Sequence, residues 1–296
     1  MKAFASILAI VTFSAASFPA VAQEAAQKKT DVLAKMQLLR SLQFQTGEIS
    51  ILGGKAKIKL TDDFRFLDPA NSRKVIVDIW GNPPEVGSVT GMVVPKGFLE
   101  TEGWGAVLNW SDVGYVKDSE YDGIDFNKML EKLKEESREE SKQRQASGYG
   151  QMLLTGWATP PRYDKQTHKL YWAKAYEVGR PVQGLNYDIR VLGRGGVIEL
   201  SVVSDLSDLS GIETKVPAIL GMVDFTDGNR YADFKAGTDK VAAYGIAGLI
   251  AGGVLAKAGF FKLIWVGILA AKKFVIIAVV AIGAWIKKLL GARKQA

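Results

Sequence analysis

The chain has no cysteine and a single histidine, His168, among its 296 residues. Without cysteine there is no disulfide, no thiolate metal ligand and no thiol nucleophile, so an exported domain must be held by its core alone. With one imidazole, a zinc site would need carboxylates for its remaining ligands, and no metal is expected. A Ser-His-Asp site needs only one histidine, but no Gly-x-Ser-x-Gly elbow supplies an activated serine. The Gly-x-Gly-x-x-Gly and Walker lysine patterns are also missing, so no phosphate cradle and no cofactor are expected.

Acidic residues are absent from both ends. After residue 240 lie eight basic residues and no acidic one, and the first 22 residues contain only Lys2. Taking these nine from the 38 lysines and arginines leaves 29 against 31 acidic residues in 23–240, so the formal charge of +7 belongs to the tail. The near-neutral central part gives no electrostatic case for nucleic acid.

The opening "MKAFASILAIVTFSAASFPAVAQ" has a lysine, a short apolar stretch and Ala20-Val21-Ala22, the layout of a cleavable secretory signal over 1–22. At the other end, residues 241–290 read as a membrane-embedded helical segment, followed by a basic tail at 291–296. Phe274 to Ile286 carry no charge and are flanked by Lys272-Lys273 and Lys287-Lys288. Such a helix rises only about 20 Å against a hydrocarbon core of about 30 Å, so the lysines mark the edges and snorkel to the interface. Upstream, Val241 to Phe261 is a second apolar stretch, and Gly248 to Gly252 has the small-residue spacing that lets two membrane helices approach. A single span and a hairpin both fit, and a homo-oligomer through the Gly248 to Gly252 face follows from the same spacing.

Between these ends, residues 23–240 read as an α+β domain, an antiparallel sheet with flanking helices. Strand alternation marks "EISILGGKAKIKL". Asp68-Pro69 opens one helix and Asp125 caps another, whose later turns "EKLKEESREESKQRQ" lack an apolar face and read as solvated. The clearest hairpin joins "LNYDIRVL" to "GVIELSVVS" across Gly193 to Gly196, with Leu185, Tyr187, Ile189 and Val191 alternating with polar residues. Asp118, Glu120, Asp122 and Gly123 occupy calcium-loop positions, but Met129 stands where the bidentate glutamate belongs, so the loop fails at its strongest ligand. If the sheet carries a ligand groove, its first candidates are Trp157, Tyr163 and Trp172 with Arg162, Arg190 and Arg194. No residue stands out as catalytic; a carboxylate-dependent hydrolase would rest on Asp164 or Asp188.

The segments "WGNPP", "GWGAVLNWSDVGYVKD", "GWATPPRYDKQTHKLYWAKAY", "NYDIRVLGRGGV" and "GNRYADFKAGTDKVAAYGIAGLIAGG" occur here in one order. In this the chain resembles the bacterial Domain of Unknown Function 2167 family, uncharacterised proteins described as membrane-anchored, from about residue 40 to the tail. The resemblance implies a signal, an exported domain and a C-terminal membrane segment, and it carries over no catalytic residue. The element order is also similar to the Mog1/PsbP-like sandwich. Together these readings lead us to expect an envelope protein of the bacterial inner membrane. Its periplasmic domain would bind a protein partner without catalysis.

Overall fold

The computed structural model describes residues 33–252 apart from 83, 85–86, 100–102, 147–149 and 180–182. The signal at 1–22, the apolar stretch 253–290 and the basic tail 291–296 lie outside them. Among the described residues no helix is long and apolar enough to cross a membrane.

A first helix, α1 (residues 33–40), leads to β1 (Phe44–Gln45), β2 (Glu48–Ile51) and β3 (Ala56–Lys59). In β3 the alternation is obeyed, with Ala56 and Ile58 buried and Lys57 and Lys59 turned outward. After β4 (Phe64–Leu67), the Asp68 carboxylate accepts the Asn71 N–H at 2.7 Å and starts α2 (Pro69–Lys74), which widens into a π-turn over Val75–Ile79. Pro69 costs no hydrogen bond there, because first-turn N–H groups have no helical partner. The remaining elements are β5 (Gly91–Pro95), β6 (Ala106–Ser111), α3 (Phe126–Ala146), β7 (Leu153–Asp164), β8 (Lys169–Glu177), β9 (Gln183–Leu192), β10 (Val197–Asp205), α4 (Leu209–Met222), β11 (Val223–Phe225) and α5 (Ile246–Ala251).

Eight strands form one antiparallel sheet in the order β1-β4-β5-β6-β10-β9-β8-β7, and β11-β3-β2 form a second. The small sheet and α4 cover one face of the large sheet, where Ile58, Ile212, Ile219 and Phe225 meet Phe66, Leu108, Tyr187, Ile189 and Leu200. On the other face, α1, α2 and the π-turn cover Leu67, Met92 and Val107, while α3 and α5 cover Leu170, Trp172, Leu192 and Val197. The expected α+β antiparallel sheet with flanking helices is what forms. β7 runs on through Pro160 and Pro161, because an edge strand tolerates residues without an N–H.

Two expectations change. The later turns of α3 are not wholly solvated, since Leu133, Ser137 and Ser141 are buried. Ser137 Oγ accepts the Leu154 N–H at 2.8 Å and Ser141 Oγ the Met152 N–H at 3.1 Å, so the helix covers the edge at β7 with hydroxyl acceptors. Charged pairs occupy its outer side, with Lys134 bonded to Glu131 at 3.1 Å and Lys142 to Glu139 at 2.6 Å.

The second change concerns residues 241–252, read as the start of the membrane segment. They lie against the domain, with Ile246, Leu249 and Ile250 buried beside Val116, Trp172 and Tyr231. A six-residue helix is too short to stand alone, but burying each such side chain contributes about 1.5–3 kcal/mol. Gly248 faces Tyr244 of its own chain, and Gly252 ends the helix at φ 96°. Both glycines of the expected association face thus have an intramolecular role.

Candidate functional site

The register of β6, β10, β9 and β8 assembles a polar patch that no short motif announces. Asn109, Glu199 and Arg190 lie in one row across the sheet; Ser201, Asp188 and Trp172 form the next, and Asn186, Lys174 and Trp157 a third. These side chains share a face because strand neighbours two residues apart point the same way. The patch adjoins the apolar clusters of the helix-covered face, and its Trp172 and Trp157 are part of the one beneath α3 and α5.

Its centre is Asp188, 3% exposed. One carboxylate oxygen accepts Arg190 at 3.1 Å and Ser201 Oγ at 2.7 Å; the other accepts Asn186 Nδ2 at 2.9 Å. Arg190 also donates to the Ile189 carbonyl at 3.0 Å, and its guanidinium carbon stands 5.1 Å from the Trp172 ring centre. Burial holds the Lys174 ammonium below the usual lysine range, with the Asp188 charge opposing that shift, and its Nζ donates to the Ile250 carbonyl at 3.3 Å. Trp172 Nε1 and Asn186 Oδ1 are buried without a hydrogen-bond partner. A buried, charged and incompletely satisfied cluster of this kind is where function is sought first.

Of the six candidates from the sequence, Trp157, Trp172 and Arg190 come together here. Trp157 Nε1 donates to the Phe126 carbonyl at 3.2 Å, which ties β7 to the start of α3. The other three lie elsewhere. Arg162 is exposed on the edge strand opposite Tyr171. Arg194, past the end of β9, is clamped by both oxygens of Asp239 at 2.7 and 2.8 Å and also donates to the Gly228 carbonyl. That clamp lines a groove of about 310 Å³ together with Trp110, Phe225, Lys55 and Lys240.

Tyr163 belongs to a separate aromatic cluster around the histidine. Its hydroxyl lies 2.7 Å from Asp118 Oδ2 and 2.9 Å from His168 Nδ1. A phenol has one proton to give, so with Tyr163 donating to Asp118 the imidazole must donate its Nδ1–H to Tyr163. Burial and then the Asp118 hydrogen bond push the Tyr163 hydroxyl well above the usual tyrosine range, which suits a structural donor and not a nucleophile. His168 stacks on Tyr231 with ring centres 4.1 Å apart and adopts a left-handed backbone, φ 53°.

The carboxylates of the failed calcium loop scatter to separate partners: Asp118 to Tyr163, Glu120 to the Ala247 N–H, and Asp122 to Lys165. Among the described residues no group of three His, Asp or Glu side chains is placed to hold a metal ion. Asp164 closes its own turn, accepting the Gln166 N–H at 2.8 Å and the Thr167 hydroxyl at 2.8 Å, and these bonds, the Thr167 hydroxyl foremost, lower its pKa.

Lys174, Asn186 and Ser201 were missed in the sequence. The signal was present in β9, where Asn186, Asp188 and Arg190 alternate with apolar residues. Alternation alone does not say whether the polar side faces water, and β9 is buried on both faces from Gly184 to Leu192.

The family model described as protein of unknown function (DUF2167) matches residues 43–283. The chain belongs to this family. The DUF2167 match spans every element from β1 to α5. No curated protein matches the chain. Among solved structures, it is similar to cyanobacterial PsbP (CyanoP) from Synechocystis sp. PCC 6803, at 11% identity and a TM-score of 0.36, covering 62% of this chain and 92% of that one. It is also similar to the Saccharomyces cerevisiae Ran-binding protein Mog1p, at 10% identity and a TM-score of 0.34, covering 66% of this chain and 100% of that one. At these values no ligand, partner or residue role carries over.

Proposed function

We propose that this DUF2167 protein is a non-enzymatic binding protein of the bacterial envelope. Residues 1–22 direct export, the α+β domain stands in the periplasm, and the stretch beyond Gly252 tethers it to the inner membrane. The tether and address rest on the signal-like N-terminus and on the apolar, acid-free tail.

One observation carries the non-enzymatic reading. Both carboxylates on which a hydrolase would rest are already engaged, Asp188 by three side chains of its own sheet and Asp164 by its own turn. A general acid or base must reach a proton on its substrate; Asp188 is buried beneath its own partners, and Asp164, though exposed, serves as the acceptor that closes its turn.

Crosslinking in intact envelopes followed by pull-down of the full chain tests the proposal. A stoichiometric protein partner is the expected result. Turnover of ester, glycoside or peptide substrates by the purified protein, abolished by Asp188→Asn or Asp164→Asn without loss of folding, overturns it.

A further inference from the structure

Residues 239–251 are held to the domain at two stretches, 239–242 and 246–250. Asp239, which clamps Arg194 at the groove, also accepts the Lys235 N–H at 2.7 Å. The Lys240 carbonyl accepts the Tyr115 N–H at 2.8 Å, and Lys240 Nζ donates to the Asp112 carbonyl at 2.8 Å. Val241 bridges Tyr115 in parallel, and the Ala242 N–H returns to the Tyr115 carbonyl at 2.9 Å. Farther on, the Ile246 N–H reaches the Lys117 carbonyl at 3.3 Å.

The helix that follows is gripped at both ends. Glu120 accepts the Ala247 N–H at 3.0 Å, and Lys174 donates to the Ile250 carbonyl at 3.3 Å. A carboxylate at the amide end and an ammonium at the carbonyl end each satisfy a group that a helix terminus leaves without a partner. The seat also constrains the sequence below it. Gly114 has φ 90°, and a Cβ there would stand 2.6 Å from the Lys240 carbonyl oxygen.

We infer that residues 239–251 form a strap that couples the Arg194 groove to the seat of α5. The strap uses one continuous run of backbone, and its helix is too short to persist off its seat. Release at α5 therefore loosens Ala242 and Lys240, and then the Asp239 clamp that borders the groove. In the reverse direction, a molecule that displaces Asp239 from Arg194 frees the residues leading into α5. The coupling needs no particular partner, so it stands or falls separately from the proposed function.

Amide hydrogen exchange on the full-length protein tests it. In Glu120→Ala and in Lys174→Met, exchange at Ala247 to Ile250 is expected to rise about fivefold, as for loss of a helix cap. The strap requires the Ala242 and Lys235 amides to rise as well, while the core amides of β9 stay at wild-type rates. Asp239→Asn should raise exchange at Ala247 from the other end. If both α5 variants open only 246–250 and leave Ala242 and Lys235 unchanged, the inference is overturned. It is overturned equally if the wild-type α5 amides show no protection. Should Lys174→Met unfold the patch, seen as loss of β9 protection, Glu120→Ala and Asp239→Asn decide the question.

Discussion

Ser137 on α3 accepts the backbone N–H of Leu154 on β7 at 2.8 Å, and this contact helps close an edge of the eight-stranded sheet. An edge strand with unpaired N–H groups is a template for pairing with other chains. Here a helix with few apolar residues covers that edge by presenting serine hydroxyls one turn apart. Ser137→Val leaves the Leu154 N–H buried without an acceptor and is expected to cost about 1–3 kcal/mol in denaturant unfolding. The Ser137→Val/Ser141→Val pair should also aggregate on concentration, measured by light scattering, where wild type does not.

Asp188→Asn removes the buried carboxylate that pairs with the Arg190 guanidinium in the polar patch. Both side chains are almost fully buried, at 4% and 7% exposure, so the loss is expected to be about 3–5 kcal/mol. Replacing both, Asp188→Leu with Arg190→Met, should recover much of that stability. A double variant as unstable as Asp188→Asn would show that the patch holds the fold through more than this pair.

The glycines of the β9–β10 turn are not equivalent. A Cβ on Gly196 would stand 2.3 Å from the Ser111 carbonyl oxygen and 2.6 Å from the Trp110 ring, whereas Gly195 has open space. Gly196→Ala is expected to lower stability by more than ~1 kcal/mol, because backbone must move, and Gly195→Ala to stay within ~0.5 kcal/mol. Thermal unfolding of the two variants side by side checks the difference.

The clamp at Asp239 has a defined pH signature. Hydrogen bonds from Arg194 and the Lys235 N–H lower its carboxyl from 3.8 to about 2. A depressed acid contributes stability above its unfolded value and loses it as pH falls through its folded value. The stability difference between wild type and Asp239→Asn is therefore expected to be constant from pH 7 down to about pH 5 and to shrink between about pH 4 and pH 2. A difference that persists unchanged at pH 2 would contradict the assignment.

Local chemistry was legible wherever neighbours in sequence are neighbours in space. The Asp68 and Asp125 caps and the β9–β10 hairpin all form as their residues indicate, because each is decided within a few residues. The fate of polar side chains was not legible in the same way. Nothing local to Asp188 shows that it is buried, because its neighbours Ser201 and Trp172 come from adjacent strands.

By itself the sequence determined the absence of thiol chemistry, the confinement of the basic charge to the tail, the α+β class and the family. These follow from composition and periodicity, which need no long-range contact to be read. Only the tertiary structure decided that Trp157, Trp172 and Arg190 share one patch while Arg162, Tyr163 and Arg194 do not. It also decided that residues 241–252 belong to the domain. An apolar stretch carries the same hydropathy whether it faces lipid or a protein core; here Trp172 and Tyr231 bury Ile246 and Ile250, with Glu120 and Lys174 holding the two ends of their helix.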